Sequence, residues 1–344
     1  MKKILLLLSV LLFVISCGKK ESEDAVAKTG QTLTFYAGLQ EDHAAMVAKE
    51  FEKETGIETN FVRMSSGEVL ARLKAERNNM SASVWYGGPL DAFVAAKEAD
   101  LIEPYMSPEA ANIKEGLKGP EGYWTGIYVG YLGFVGNQKM LEEKGLTMPT
   151  SWADLLKPEY KGEIVVAHPG SSGTAYTMLA TLVQLMGEDE AMEYLKKFNG
   201  QVRQYTKSGT APGRMAGQGE TTIGITFLHD AIKYKKEGYK DIVISAPSEG
   251  TGYEIGGVAL LKNGPDQETA KKFIDWVLTK RVQEMGQTVG SFQFLTNKDA
   301  MPPAEADPIK NTKLIKYDFD WAGKNRIRLV ERFSTETSTT APKK

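Results

Sequence analysis

From Thr32 to Gly88 the chain runs through a β-α-β-α-β series, and this alternation restricts the fold more than any other feature. "TLTFYAG" is strand-like. "EDHAAMVAKEFEKETG" places Ala44, Val47, Ala48 and Phe51 at helical spacing and stops at Gly56. "IETNFVRM" is strand-like again, "GEVLARLKAERNN" turns Val69, Leu70 and Leu73 to one face, and "ASVWYGG" completes the series. Such a run makes a mostly parallel sheet covered by helices, with ligands at the carboxyl ends of its strands.

A second series follows "GYWTGIYVGYLGFVGN", whose β-branched and aromatic content suits strands crossing between lobes. "SWADLLKPEYKG" predicts a short helix with a turn, "EIVVAHP" a strand, and "SGTAYTMLATLVQLMG" a long helix. "DEAMEYLKKFNG" and "APGRMAGQGE" predict further helices, and "TTIGITF" and "DIVISAP" strands. "YEIGGVALLKNG" reads as a strand returning to the first lobe, followed by the helix "QETAKKFIDWVLTKRVQEMG". The chain is therefore expected to cross between lobes near Gly126 and near Tyr253. The boundaries expected are 32–125 for lobe 1, 126–252 for lobe 2, 253–300 for the return to lobe 1, and 301–344 for a C-terminal helical segment with a frayed tail. A cleft between two α/β lobes is a natural small-molecule site.

The N-terminus follows another plan. "MKKILLLLSVLLFVISCGKK" has two lysines, an apolar stretch from Ile4 to Ile15, and then Ser16-Cys17, which is the layout of a secretory signal peptide over 1–16. Val14-Ile15-Ser16-Cys17 resembles the bacterial lipobox, whose cysteine is acylated. Cys17 is the only cysteine among the 344 residues, so no intramolecular disulfide forms and lipidation gives it a use. Residues 17–31 are polar, lack aromatics and read as a flexible tether. The expectation is a domain held by lipid on a membrane, in the periplasm or at the cell surface. The net charge of −2 carries no basic block, which argues against nucleic acid as a partner; removing Lys2 and Lys3 makes it −4. No internal segment approaches the roughly 20 apolar residues that span a bilayer.

Two Ser-Ser-Gly turns stand where a strand gives way to a helix, "RMSSGEV" and "PGSSGTAYT". A helix N-terminus leaves amide N–H groups unpaired and carries partial positive charge, so it suits a phosphate, sulfate or carboxylate. Ser171, Ser172, Gly173 and Thr174 form the stronger turn, and Ser65 and Ser66 the weaker; simple helix capping is the competing reading for both. In "ITFLHDAIKYKKEGY", His229 and Asp230 occupy the same topological place. They suit sugar hydroxyls, a metal, or acid–base work, while capping alone explains Asp230. His43, His168 and His229 are too scattered for a zinc motif, and no nucleophile elbow or Walker loop is present. Glu249 and Glu254 bracket a glycine-rich crossing; Glu254 falls on the hinge strand, whereas a surface turn accounts equally for Glu249. Trp85, Tyr86 and Gly88 offer another strand end to the cleft, with core packing as the alternative for the aromatics. Arg214 suits a phosphate or carboxylate less well than it suits a solvated helix face.

These stretches together, with "SWADLLKPEYKGEIVVAHPGSSGTAYT", "GQGETTIGITFLHDA" and "SEGTGYEIGGVALLK", resemble the iron(III)-type class of ABC-importer solute-binding proteins over Thr32 to Thr296. The resemblance implies an α/β, two-lobed type II periplasmic-binding fold closing on a ligand, with an ABC permease as partner, no catalysis, no cofactor, and a monomer. Members that bind ferric iron carry adjacent tyrosines after the strand that here reads "TTIGITF"; this chain has Leu228-His229-Asp230 there. Other members bind aminoethylphosphonate or hexose phosphates, and the hexose-phosphate binders are the more similar. That likeness implies Ser172, Gly173 and Thr174 on phosphate and His229, Asp230 and Glu254 on the sugar. The family's first-lobe contact falls at Ala37-Gly38-Leu39, which implies a backbone contact from Gly38 and Leu39 or none.

Overall fold

The computed structural model describes residues 29–119 and 121–342. The signal peptide, Cys17 and most of the expected tether lie outside the described residues. The first lobe begins β1 (Thr32–Ala37), α1 (Glu41–Thr55), β2 (Glu58–Arg63), α2 (Ser66–Glu76), β3 (Val84–Pro89), α3 (Leu90–Glu98) and β4 (Ile102–Glu103). A long strand, β5 (Thr125–Asn137), leads through α4 (Gln138–Lys144) to β6 (Ile164–Ala167), α5 (Gly173–Met186), α6 (Glu188–Asn199) and β7 (Val202–Thr206). The second lobe continues with α7 (Ala211–Gly217), β8 (Ile223–Phe227), α8 (Leu228–Lys236) and β9 (Ile242–Ser245). The chain returns in β10 (Tyr253–Leu261), followed by α9 (Gln267–Val277), α10 (Lys280–Met285), β11 (Phe294–Leu295) and α11 (Phe319–Thr337).

Strands β2, β1 and β3 pair in parallel, and β10 joins β3 antiparallel. In the second lobe β7, β6 and β8 are parallel, and β8 lies antiparallel to β5. Strand β5 belongs to both sheets. Its first half, to Tyr131, pairs with β10 and β11; from Leu132 onward it pairs with β8 and β9. The crossing therefore falls between Tyr131 and Leu132. Gly126, where the sequence suggested it, is still paired within the first-lobe sheet, with Gly257. The return is at Gly252, whose carbonyl accepts from the Leu132 N–H just before β10 begins.

Each lobe has its own apolar interior. Phe35, Phe51 and Phe273 fill one face of the first sheet, and Tyr36, Trp85 and Phe93 the other. In the second lobe α5 is buried from Gly173 to Val183, which its apolar run permits; Thr181 satisfies its hydroxyl on the Thr177 carbonyl at 2.6 Å. Each fully buried large side chain contributes about 1.5–3 kcal/mol relative to exposure.

The C-terminal segment is ordered further than its polar sequence suggested. α11 runs to Thr337, which is buried and donates its hydroxyl to the Phe333 carbonyl at 2.7 Å. Leu329 and Phe333 join the second-lobe core, while Gly323 packs on Val94 of α3 and Arg326 pairs with Asp91 at 2.5 Å. The helix is thus shared by both lobes.

Candidate functional site

Between the lobes lies a cavity with about 400 Å³ of empty space including its mouth. Most of its lining comes from the turns that follow β1, β2, β6, β7 and β8, where parallel strands end and helix N-termini begin. Tyr128 of β5, Glu254 of β10 and Gln293 close the floor.

The two Ser-Ser-Gly turns meet across the cleft. The Gly67 N–H donates to the Ser171 carbonyl at 3.1 Å, so the first amides of α2 are partly capped by the other lobe. A β-carbon on Gly67 would stand 2.7 Å from that carbonyl oxygen, which is why glycine is required there. Ser66 is buried and, among the described residues, its hydroxyl has no partner; it points between the lobes, 3.0 Å from where a β-carbon on Gly173 would stand. Ser172 caps α5, its hydroxyl accepting from the Ala175 N–H at 3.3 Å. Gly173 and Thr174 line the cavity in the first turn of that helix, where N–H groups lack intrahelical acceptors and no acidic side chain offsets the dipole. Gly209 packs directly over the Ser172 and Thr174 hydroxyls.

Facing this end from the first lobe is Arg63. Its Nε donates to the Leu39 carbonyl at 3.1 Å and Nη1 reaches Ser208 Oγ across the cleft at 3.5 Å. Among the described residues no carboxylate lies within salt-bridge distance of it, unlike Arg326, Arg328 and Arg332. The resemblance implies Ser172, Gly173 and Thr174 as the anion end; Arg63 adds a cation facing that turn.

The opposite end is acidic. His229, Asp230 and Glu254 are all buried, with His229 Nε2 3.7 Å from Asp230 Oδ1 and 3.8 Å from Glu254 Oε1. Among the described residues His229 Nδ1 has no partner, and the His229 ring stacks on Phe227 at 5.6 Å. Burial lowers the His229 pKa, opposed by the charge of Asp230, so the ring is neutral and offers one donor and one acceptor. Burial raises Glu254 well above the carboxylate range, with the charges of Asp230 and Asp91 adding to it. Asp230 Oδ1 accepts from Gln40 Nε2 at 2.6 Å, a bond between lobes. Further ties hold the lobes together outside the cavity: Lys233 with Asp42 at 2.5 Å, and Lys207 with Glu68.

Several sequence candidates sit elsewhere. Ser171 does not line the cavity; its hydroxyl donates to the Lys207 carbonyl at 2.9 Å and stitches the turn to the segment after β7. Trp85 is fully buried and stacked on Phe93 at 4.2 Å, because its alternate position on β3 faces the core. Gly88 stays behind the lining, donating its N–H to the Tyr128 hydroxyl at 3.0 Å. Glu249 accepts from the Trp152 N–H at 3.0 Å, and Arg214 lines the outer mouth. His168 packs between Tyr205 and Phe333. Gly38 and Leu39 do line the cavity, but the neighbouring Gln40 adds a side chain where only backbone was expected. Gln40, Arg63 and Thr210 were legible as polar residues at strand ends; Tyr128 and Gln293 carried no local signal. Among the described residues no group of three His, Cys, Asp or Glu side chains is arranged for a metal ion, and no helix is long and apolar enough to cross a membrane.

A family described as bacterial extracellular solute-binding protein matches residues 91–328, more than half of the chain. The chain belongs to that family. A Haemophilus influenzae protein is 41% identical to this solute-binding protein over 338 residues, 96% of each chain. The structure of the periplasmic binding protein AfuA from Actinobacillus pleuropneumoniae, with exogenous fructose-6-phosphate bound, superposes with a TM-score of 0.87 at 40% identity, covering 91% of this chain and 100% of that one. The periplasmic binding protein P5PA superposes with a TM-score of 0.86 at 35% identity, over 89% and 99%. The protein is a periplasmic solute-binding component of an ABC importer, with the two-lobed periplasmic-binding fold, and not an enzyme.

Proposed function

We propose that this solute-binding protein captures a phosphorylated sugar, a hexose phosphate, and delivers it to an ABC permease. The observation that carries the reading is the polarity of the cavity. One end offers the N-terminus of α5, the Ser172 and Thr174 hydroxyls and the Arg63 guanidinium; the other offers Asp230, Glu254 and a neutral His229. A phosphoryl group suits the first, since several amides, hydroxyls and a guanidinium offset its desolvation. Neutral hydroxyls suit the second, since each needs paired donors and acceptors. AfuA, a neighbour at 40% identity, has fructose-6-phosphate bound and supports the same class of ligand. Ferric iron is the weaker reading, because Leu228-His229-Asp230 replaces the phenolates it favours.

Calorimetric titration with hexose phosphates, free hexoses, inorganic phosphate, 2-aminoethylphosphonate and ferric ion tests the proposal. Tightest binding to a hexose phosphate is expected. Asp230→Ala should weaken it and spare any inorganic phosphate binding, while Thr174→Ala should weaken both by about 1.5–3 kcal/mol, the loss of a hydrogen bond to a charged group. Intact hexose-phosphate affinity in Asp230→Ala would overturn the placement of the sugar. The lipid anchor at Cys17 belongs to the same proposal, and the mass of the mature N-terminal peptide, with or without acyl chains, decides it.

A further inference from the structure

The acidic end of the cavity is fastened to the first lobe by a chain of buried polar groups that leads away from the ligand. Gln40 Nε2 donates to Asp230 Oδ1 at 2.6 Å, and Gln40 Oε1 accepts from the Ser291 hydroxyl at 2.9 Å. His43 Nδ1 lies 2.8 Å from the same Ser291 oxygen, and the Tyr86 hydroxyl lies 3.3 Å from His43 Nε2. Gln40 precedes α1, His43 lies on α1, Tyr86 on β3, and Ser291 just before β11. All are buried, and of these first-lobe groups only Gln40 lines the cavity.

Donor and acceptor capacity permits one direction along this chain. The Asp230 carboxylate accepts, so Gln40 turns its NH₂ toward it and its carbonyl oxygen toward Ser291. The Ser291 proton is then engaged by Gln40, so the Ser291 oxygen accepts from His43 and the imidazole proton sits on Nδ1. Nε2 remains as the acceptor for the Tyr86 proton. Burial, with the charge of Lys233 acting in the same direction, pushes His43 down to about 4 and keeps it neutral. Every buried polar group in the chain is satisfied by the next, so deleting one leaves its neighbours unpaired.

We propose that Ser291, His43 and Tyr86 are positioning residues that hold Gln40 as a donor across the cleft onto Asp230, so that groups outside the cavity set how firmly the closed lobes grip the sugar end of the ligand. Everything in the relay except Asp230 belongs to the first lobe. It therefore stands ready before closure, and only the Gln40–Asp230 bond forms as the lobes meet. What is gripped rests on the sugar-phosphate reading; the relay itself does not.

Two readouts separate these layers. Nitrogen NMR of histidine-labelled protein, assigned with His43→Asn, should show His43 as the neutral Nδ1–H tautomer at neutral pH, and Ser291→Ala should release it into a mixture. Calorimetry with fructose 6-phosphate should show Gln40→Ala and Ser291→Ala each weakening binding about tenfold, as for a lost hydrogen bond to a charged group. The double variant should be no weaker than the weaker single one, because Ser291 acts through Gln40. Additive losses, an unchanged Kd in Ser291→Ala beside an impaired Gln40→Ala, or an Nε2–H tautomer at His43 would overturn the relay. Failure of the wild-type protein to bind fructose 6-phosphate would sink the functional reading instead, and the nitrogen spectra of wild type and Ser291→Ala alone would then decide the relay.

Discussion

Gly130→Ala probes the acidic end of the cavity without removing any of its polar groups. Gly130 lies on β5 directly opposite Glu254 of β10. A methyl group there would stand 2.5 Å from His229 Cε1, 2.6 Å from Nδ1 and 3.0 Å from Glu254 Oε1. Carbon contacts settle at about 3.5–4.0 Å, so the imidazole must retreat by about 1 Å. It cannot retreat freely, because Phe227 stacks on it and the whole region is buried. Overpacking of this kind costs about 1–3 kcal/mol of stability. If His229 and Glu254 hold sugar hydroxyls, the displacement also breaks at least one hydrogen bond to the neutral imidazole or to the Glu254 carboxyl group. That is about 0.5–1.5 kcal/mol, a loss of roughly twofold to tenfold in affinity. The anion end, on α5 and Arg63, is left intact. The assay is a calorimetric titration with fructose 6-phosphate under conditions where a urea melt shows the variant folded. A folded Gly130→Ala protein with wild-type affinity would refute the placement of the sugar against His229 and Glu254.

Arg63→Gln should weaken hexose-phosphate binding more than free-hexose binding and flatten its salt dependence, since one cation facing the anion is lost; equal losses for both ligands would contradict the polarity of the cavity. Asp91→Ala leaves the Arg326 guanidinium buried without its carboxylate and should cost about 3–5 kcal/mol in a urea melt, with an effect under about 1 kcal/mol counting against the pair. Burial pushes His43 down to about 4 from the ordinary 6.5, so between those values this ring is protonated in the unfolded chain and neutral in the folded one. The His43 contribution to stability should then fall as pH drops through that window, by up to about 1.4 kcal/mol per pH unit, read as the difference in urea midpoint between wild type and His43→Asn; a difference that does not change with pH would contradict it. Ligand contacts drawn from both lobes favour the closed state, so small-angle scattering should show a smaller radius of gyration with fructose 6-phosphate than without; an unchanged radius would argue against hinged closure.

The alternation from Thr32 to Gly88 was legible because helix and strand periodicities are local. The polar strand ends were legible for the same reason: hydroxyls, glycine or a His-Asp pair at a strand-to-helix turn are short-range patterns. The lobe crossing was harder to place. β5 is one uninterrupted strand, and nothing in "TGIYVGYLGFVGN" marks where its neighbours change from β10 to β8. Trp85 shows the same limit, since both faces of β3 are buried and strand alternation does not say which aromatic meets a cleft.

By itself, then, the sequence determined the two α/β lobes and the set of turns able to hold a ligand. Only the tertiary structure decided which turns share a cavity and which groups complete it. Gly67 reaches Ser171, and Gln40 reaches Asp230 across 190 residues of chain. Among the described residues Arg63 meets no carboxylate, because the opposite lobe brings none near it. Such pairings are set by how β5, β10 and α11 hold one lobe against the other, and a distance between two rigid bodies leaves no trace in the local pattern of either.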